Sequence, residues 1–297
     1  MSDETVRELA LARAREPERI AEAAAARRRP EVALGEGRTL VVAADHSARG
    51  MVGTGRHPGA MADRGDLLER LCLALSRPGV TGVLGSPDIL EDLLLLGALD
   101  GMSVFGSMNR GGIKGARWEI DDRFTAYDAA TLEAMGFEGG KMLVRFDLDD
   151  RATATTVEAC ARAIGELARR RLIAMVEPFM ARTVDGRVTH ELTTDAAVKA
   201  SMIAAGLGPT SAYTWLKVPV VDDMERVAAA TAQPTLLLGG EVAEDQDATF
   251  ERWRSALALP NVFGLVVGRS LLYPPGDDVT AAVDAAAGLF PDPAPAS

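Results

Sequence analysis

Three histidines and two cysteines are all that 297 residues offer to a zinc or thiolate site. His46, His57 and His190 form no HxH or HxxxH pair, whereas a zinc-dependent aldolase or hydrolase gathers several histidine ligands. No metal and no cofactor is therefore expected. Cys72 and Cys160 lie in helix-like stretches and read as small buried hydrophobes of a reduced, cytoplasmic protein. No apolar run approaches the roughly 18 residues of a membrane-spanning helix. The acidic opening, Asp3 and Glu4, is unlike the basic start of a signal peptide. A net charge of −11 argues against a nucleic-acid-binding face. GxGxxG is missing after the first strand-like run and GxSxG is missing altogether, so dinucleotide binding and serine-hydrolase chemistry both lack support.

What remains is an ordinary globular composition, 47% hydrophobic and 25% charged, in a length that suits one large α/β barrel. Eight short apolar runs recur: Thr39–Ala44, Val80–Gly85, Met102–Met108, Lys141–Phe146, Leu172–Glu177, Thr214–Val218, Thr235–Gly239 and Val262–Gly268. Helix-like stretches separate most of them, among them Gly65–Ser76, Thr153–Arg171, Thr194–Ala205, Met224–Thr231 and Asp245–Ala258. Strand–helix alternation implies a parallel sheet, and eight units imply a (β/α)8 TIM barrel, with a doubly wound open sheet as the alternative. Residues 3–29, free of glycine, read as an extra N-terminal helix whose closing Arg27-Arg28-Arg29 complement its dipole. The expected organisation is one domain over 1–297, with a helical extension at 1–38 and a disordered tail at 291–297. The long charged connection Asn109–Gly139 follows a strand and reads as a lid or interface segment.

In a barrel, polar residues at the C-terminal ends of strands are those to read as catalytic. Asp45 and His46 end the first strand, Glu177 the fifth, and Lys217 stands alone as a cation in the sixth, Thr214-Trp215-Leu216-Lys217-Val218. Lys141 and Arg145 share one face of the fourth. Gly239-Gly240 and Gly268-Arg269 end the last two strands, where barrels hold phosphate. Each has a structural alternative: a snorkelling Lys217, a helix-capping Asp45, a solvated Glu177, a structurally paired Lys141 or Arg145, and glycines that only permit turns. Together they suit Schiff-base chemistry. Two neighbouring lysines disfavour double protonation, and carboxylates move the protons of carbinolamine formation and carbon–carbon cleavage.

The stretches AADHSARG, GGKMLVRFDLDD, LIAMVEP, TWLKVPV, LLLGGEV and GLVVGRSLLYP, in this order over about residues 39–273, resemble class I aldolases of the tagatose-bisphosphate and archaeal-type fructose-bisphosphate aldolase superfamily. The resemblance implies a metal-free (β/α)8 barrel in which Lys217 forms the Schiff base, Glu177 is the acid–base glutamate, and Asp45 and Lys141 complete the site. It also implies that Gly239, Gly240, Gly268 and Arg269 bind phosphate. DHSARG departs from the DHG and DQRG versions of the better-known branches, and the 109–139 stretch is unfamiliar. The sequence also resembles actinobacterial barrel proteins associated with inositol catabolism. That implies cleavage of 6-phospho-5-dehydro-2-deoxygluconate to dihydroxyacetone phosphate and malonate semialdehyde, with Arg49, Arg110 or Arg145 meeting the substrate carboxylate. The rivals are a tagatose- or fructose-bisphosphate aldolase, another Schiff-base barrel such as a transaldolase, and a sugar-phosphate-binding regulatory barrel without turnover. The expected partner is a small sugar phosphate, without nucleic acid or membrane; a homo-oligomer is compatible with the apolar content.

Overall fold

Strands buried on both faces need continuous apolar sequence rather than alternation. The runs β1 (Thr39–Ala44), β2 (Gly82–Gly85), β3 (Ser103–Ser107) and β4 (Gly139–Phe146) are buried throughout. They are followed by β5 (Ile173–Val184), β6 (Arg187–His190), β7 (Thr214–Val218), β8 (Thr235–Leu238) and β9 (Val262–Val267). The computed structural model describes residues 1–290 except 33, 38, 56, 241, 243 and 244; the tail expected to be disordered, 291–297, lies outside the described residues.

All strands but β6 pair in parallel and close on themselves, in the order β1-β2-β3-β4-β5-β7-β8-β9 and back to β1. This is the (β/α)8 barrel. Strand alternation sorts the side chains. Val41, Leu84, Phe105, Met175, Leu236 and Val266 fill the interior. Leu40, Val42, Val104, Leu216, Val218 and Leu237 point outward into the larger core beneath the helices. Each such burial is worth about 1.5–3 kcal/mol. Towards the C-terminal ends of four strands the inward tier turns polar: Val41 and Ala43 lead to Asp45, Phe105 to Ser107, Met175 to Glu177 and Trp215 to Lys217.

The extension before the barrel is helical, in two pieces, Asp3–Arg15 and Arg19–Ala26. Pro17 supplies no N–H and disfavours helical backbone at Glu16, which sits at φ −143° and ψ 55°. The arginine triplet does not serve a helix end as expected. The helix stops at Ala26 and the backbone at Arg27 turns extended. Arg27 instead donates to Met102 O (2.7 Å) and Gly136 O (2.6 Å) and pairs with Glu138 (3.2 Å); Arg29 pairs with Glu138 (2.7 Å) and Arg28 with Asp100 (3.0 Å). These contacts strap the extension to the turns that precede β3 and β4, at the end of the barrel away from the polar tier.

Two further departures lie at the other end. β5 runs well past the expected Glu177 and folds back as an antiparallel hairpin with β6, Ala181 opposite His190. Its turn is Asp185-Gly186, both at positive φ (50° and 73°), the two-residue geometry that Asp-Gly favours. Pro178 within β5 lies just beyond Val176, the last residue paired to β7. The connection after β3 contains one short helix, Ala129–Ala134, and otherwise folds down onto the rim.

Candidate active site

The polar tier converges at the C-terminal mouth of the barrel around a cavity of 430 Å³. Glu177, at the level where β5 pairs with Leu143 of β4, is the hub. Its Oε1 lies 2.8 Å from Lys217 Nζ, and its Oε2 pairs with Lys141 Nζ. Lys141 Nζ also reaches Asp45 Oδ2 at 3.2 Å. The same carboxylate oxygen accepts from Ser107 Oγ at 2.6 Å and is 2.8 Å from the Arg110 guanidinium. Lys217, Lys141 and Asp45 are each 4% exposed or less, so none of them is a snorkelling or solvated side chain.

Burial of this kind raises the carboxyl groups and lowers the amines, and the charges decide the balance. Burial alone would lift Glu177, but Lys141 and Lys217 on either side hold it well below the usual carboxylate range. Asp45 is likewise held down by Arg110 and Lys141 against its burial. Burial lowers the Lys141 ammonium, and Asp45 and Glu177 only partly restore it. One of two adjacent lysines is thus pushed toward the neutral amine. The His46 ring lies against Gly268 and is kept neutral, burial pushing it down to about 3 against the pull of Asp45.

Across the mouth, Gly239, Gly240, Gly268 and Arg269 line the same cavity. A Cβ on Gly268 would collide with the Ala43 carbonyl, and one on Gly239 would come within 2.5 Å of Val267 Cγ1. Gly240 stands at φ +69° with open space above it. These glycines keep bare backbone at the cavity wall.

Arg49, Arg110 and Arg145, among which the sequence offers a partner for a substrate carboxylate, all line the cavity. Each is committed to an acid: Arg145 Nη1 to Glu119 (2.6 Å), Arg49 Nη2 to Asp122 (2.5 Å) and Arg110 Nη2 to Asp45 (2.8 Å). Arg49 also donates to Gly112 O and Asn109 O, and Asp122 accepts from Gly112 N. Arg145 lines the cavity, but its guanidinium is buried in this network, which fits the structural ion pair. The network pins the segment after β3 over the rim. Asn109 contributes by lengthening the β3–β4 ladder, its side chain bonding Leu143 N (2.9 Å) and Leu143 O (2.5 Å).

Sequence reasoning missed Ser107, Phe179 and the β6 residues. Phe179 stacks on His190 (4.1 Å between ring centres) in the hairpin wall of the cavity. Ser107 was legible from alternation, two residues beyond the inward Phe105. The hairpin was legible from Asp185-Gly186 between residues of strand character.

A family model described as Cgl0159-like matches residues 37–287. No curated protein sequence matches the chain. Among solved structures, Cgl0159 from Corynebacterium glutamicum is 52% identical, with a TM-score of 0.94 over 98% of each chain. A Schiff-base-forming fructose-1,6-bisphosphate aldolase shares the fold at 18% identity and a TM-score of 0.65, covering 91% of this chain and 99% of its own. An archaeal fructose-1,6-bisphosphate aldolase whose catalytic lysine carries the carbinolamine intermediate does so at 18% identity and 0.64, over 91% of this chain and 99% of its own. Among the described residues no helix is long and apolar enough to cross a membrane.

Proposed function

The chain belongs to the Cgl0159-like family, and from that premise and the rim geometry we propose that it is a class I aldolase, cleaving a phosphorylated keto-sugar through a Schiff base on Lys217. The observation that carries this reading is the bridge from Lys217 through Glu177 to Lys141, buried at the C-terminal mouth of the barrel. The distant likeness to Schiff-base aldolases agrees with it.

In this reading, Glu177 Oε1 takes the proton that Lys217 must lose before its Nζ attacks the ketone. It returns that proton to the carbinolamine hydroxyl, which leaves as water. The resulting iminium draws electrons from the adjacent carbon–carbon bond, and the substrate hydroxyl beside that bond passes its proton to Glu177, a carboxylate again once water has left, as the aldehyde departs. Lys141, fixed between Glu177 and Asp45, presents its amine to the substrate oxygens. Asp45 keeps a negative charge beside Lys141. The backbone at Gly239, Gly240 and Gly268, with Arg269, receives the phosphate, and His46 as a neutral imidazole offers a hydrogen bond beside it.

The test is reduction with borohydride in the presence of dihydroxyacetone phosphate. The expected result is a stable adduct on the peptide that contains Lys217, absent from Lys217→Ala. Turnover is then compared on fructose 1,6-bisphosphate, tagatose 1,6-bisphosphate and 6-phospho-5-dehydro-2-deoxygluconate, which separates the candidate substrates. Adduct formation without turnover on any of them points to the regulatory barrel.

A further inference from the structure

The charged groups at the mouth form a row that alternates in sign and ends on a cation at both sides. Arg110 meets Asp45 Oδ2 at 2.8 Å, Asp45 meets Lys141 Nζ at 3.2 Å, Lys141 pairs with Glu177, and Glu177 meets Lys217 Nζ at 2.8 Å. None of the five residues is more than 8% exposed. With every group ionised, three cations stand against two carboxylates, which leaves one positive charge out of reach of water. Burying an uncompensated charge is costly, and the row is relieved of it when one amine loses its proton. Only the lysines can do this, because a guanidinium keeps its proton at any pH a folded protein meets.

Arg110 is a fixed member of the row. Its Nε donates to Asn109 O at 2.9 Å and its Nη1 to Asp45 O at 2.7 Å, while Nη2 sits on Asp45 Oδ2. That oxygen also accepts from Ser107 Oγ at 2.6 Å, so Lys141, at 3.2 Å, makes the longest of its three contacts. The Asp45 charge thus faces Arg110 first, and the two lysines are left to share Glu177. Burial above all presses the Lys141 ammonium toward its neutral form; Lys217 and Arg110 add to that push, and Asp45 and Glu177 oppose it. The other charges around the row do not alter the count. Arg49 lies on Asp122 and Arg145 on Glu119. His46 and His190 are neutral, pushed down by burial to about 3 and about 4. Arg269, from the end of β9, adds positive charge beside His46.

We propose that Arg110 is a positioning residue for the Schiff base: as the cation that occupies Asp45, it limits the two lysines to one ammonium proton between them, so that a neutral amine is present to attack the ketone. This rests on the aldolase reading of Lys217. Without Arg110 the row holds two cations and two carboxylates, and both lysines keep their protons at no net cost in charge.

The experiment follows the rate at which cyanoborohydride traps dihydroxyacetone phosphate on the Lys217 peptide, from about pH 5.5 to about 9.5. It compares the unmodified protein with Arg110→Gln, Asp45→Asn and the double variant. Trapping slows below the pH at which the lysine pair takes up its second proton. In Arg110→Gln that midpoint should rise by roughly one pH unit, the size of one charge lost in a medium of effective dielectric about 20. Below both midpoints the variant then traps about tenfold more slowly, and above both it matches the unmodified protein within about twofold. Asp45→Asn leaves three cations against one carboxylate and should move the midpoint the opposite way. The double variant has two against one, the same excess as the unmodified protein, and its midpoint should return close to the original. If Arg110→Gln does not fold with Asp45 left unpaired, the double variant compared with Asp45→Asn isolates the same step, again a rise of roughly one unit. A lower rate at every pH with an unmoved midpoint marks Arg110 as structural and overturns the proposal, as does a double variant that keeps the midpoint of either single one. No adduct in the unmodified protein at any pH overturns the Schiff base and this role with it, whereas an adduct with the same midpoint in all four proteins overturns the role of Arg110 alone.

Discussion

Glu177 is shared by two lysines: one carboxylate oxygen lies 2.8 Å from Lys217 Nζ and the other pairs with Lys141 Nζ, whose further partner is Asp45. A single carboxylate thus holds two buried lysine side chains in register, and on the aldolase reading its loss is felt by both stability and chemistry.

Glu177→Gln keeps the shape and removes that charge. Breaking a buried ion pair by deleting one partner costs about 3–5 kcal/mol, and losing a positioned proton carrier lowers kcat by about 10²–10⁴. Urea unfolding at pH 7 and single-turnover assays measure the two effects. Unchanged stability would mean that the lysines are held by something other than Glu177.

The acid limb of stability follows from the same groups. In the unfolded chain Glu177 and Asp45 take up protons near about 4.3 and 3.9, whereas both are held lower in the fold by the cations around them. Between those limits the unfolded chain binds more protons, so the stability they contribute is fully present above about pH 5 and is lost as pH falls through their folded values. Urea midpoints taken from pH 6 down to 3 should drop steeply for the unmodified protein and less steeply for Glu177→Gln and Asp45→Asn. Parallel curves would assign the acid limb to other carboxylates.

Arg145 is a strut in this structure. Arg145→Met takes from Glu119 its buried cation, whereas Asp122 keeps Arg49, with an expected destabilisation of about 3–5 kcal/mol. Adding Glu119→Met should recover part of it, because the pair is replaced by apolar contact. The two single variants and the double variant, compared by denaturant unfolding, give the coupling directly. Additive losses would show that the 2.6 Å contact contributes nothing of its own.

The cavity glycines separate packing from function. Gly268→Ala drives a methyl into the Ala43 carbonyl and should cost about 1–3 kcal/mol of stability. Gly240→Ala meets no neighbour within 4 Å, so its cost is the left-handed backbone at φ +69°, about 1–2 kcal/mol. If phosphate approaches there, KM for a phosphorylated substrate rises severalfold in Gly240→Ala as well. Thermal melts and initial rates check the pair. A change in stability alone at Gly240 removes it from the phosphate wall.

The barrel was legible because its signal is local. β1 and β7 have the bounds that the apolar runs predicted, Thr39–Ala44 and Thr214–Val218. A strand buried on both faces needs apolar residues at consecutive positions, so Lys217 stood out as an exception in its own run. The rule that polar residues at strand ends line a barrel's mouth carried the reading to Asp45 and Glu177, and period-two alternation put Lys141 and Arg145 on one face of the fourth strand. Pro17 as a helix break and Asp185-Gly186 as a hairpin turn were equally local signals, overlooked beside the longer patterns. Partners were a different matter. Asp45 and Lys141 are 96 residues apart in the chain, and Arg145 and Glu119 are 26 apart. Nothing in either neighbourhood says that Lys141 meets two carboxylates, or that three rim arginines are taken up by acids. Those choices were made by barrel closure and by the segment after β3 folding over the rim. Charges sort themselves by distance and burial, and both exist only once the strands have come round to meet.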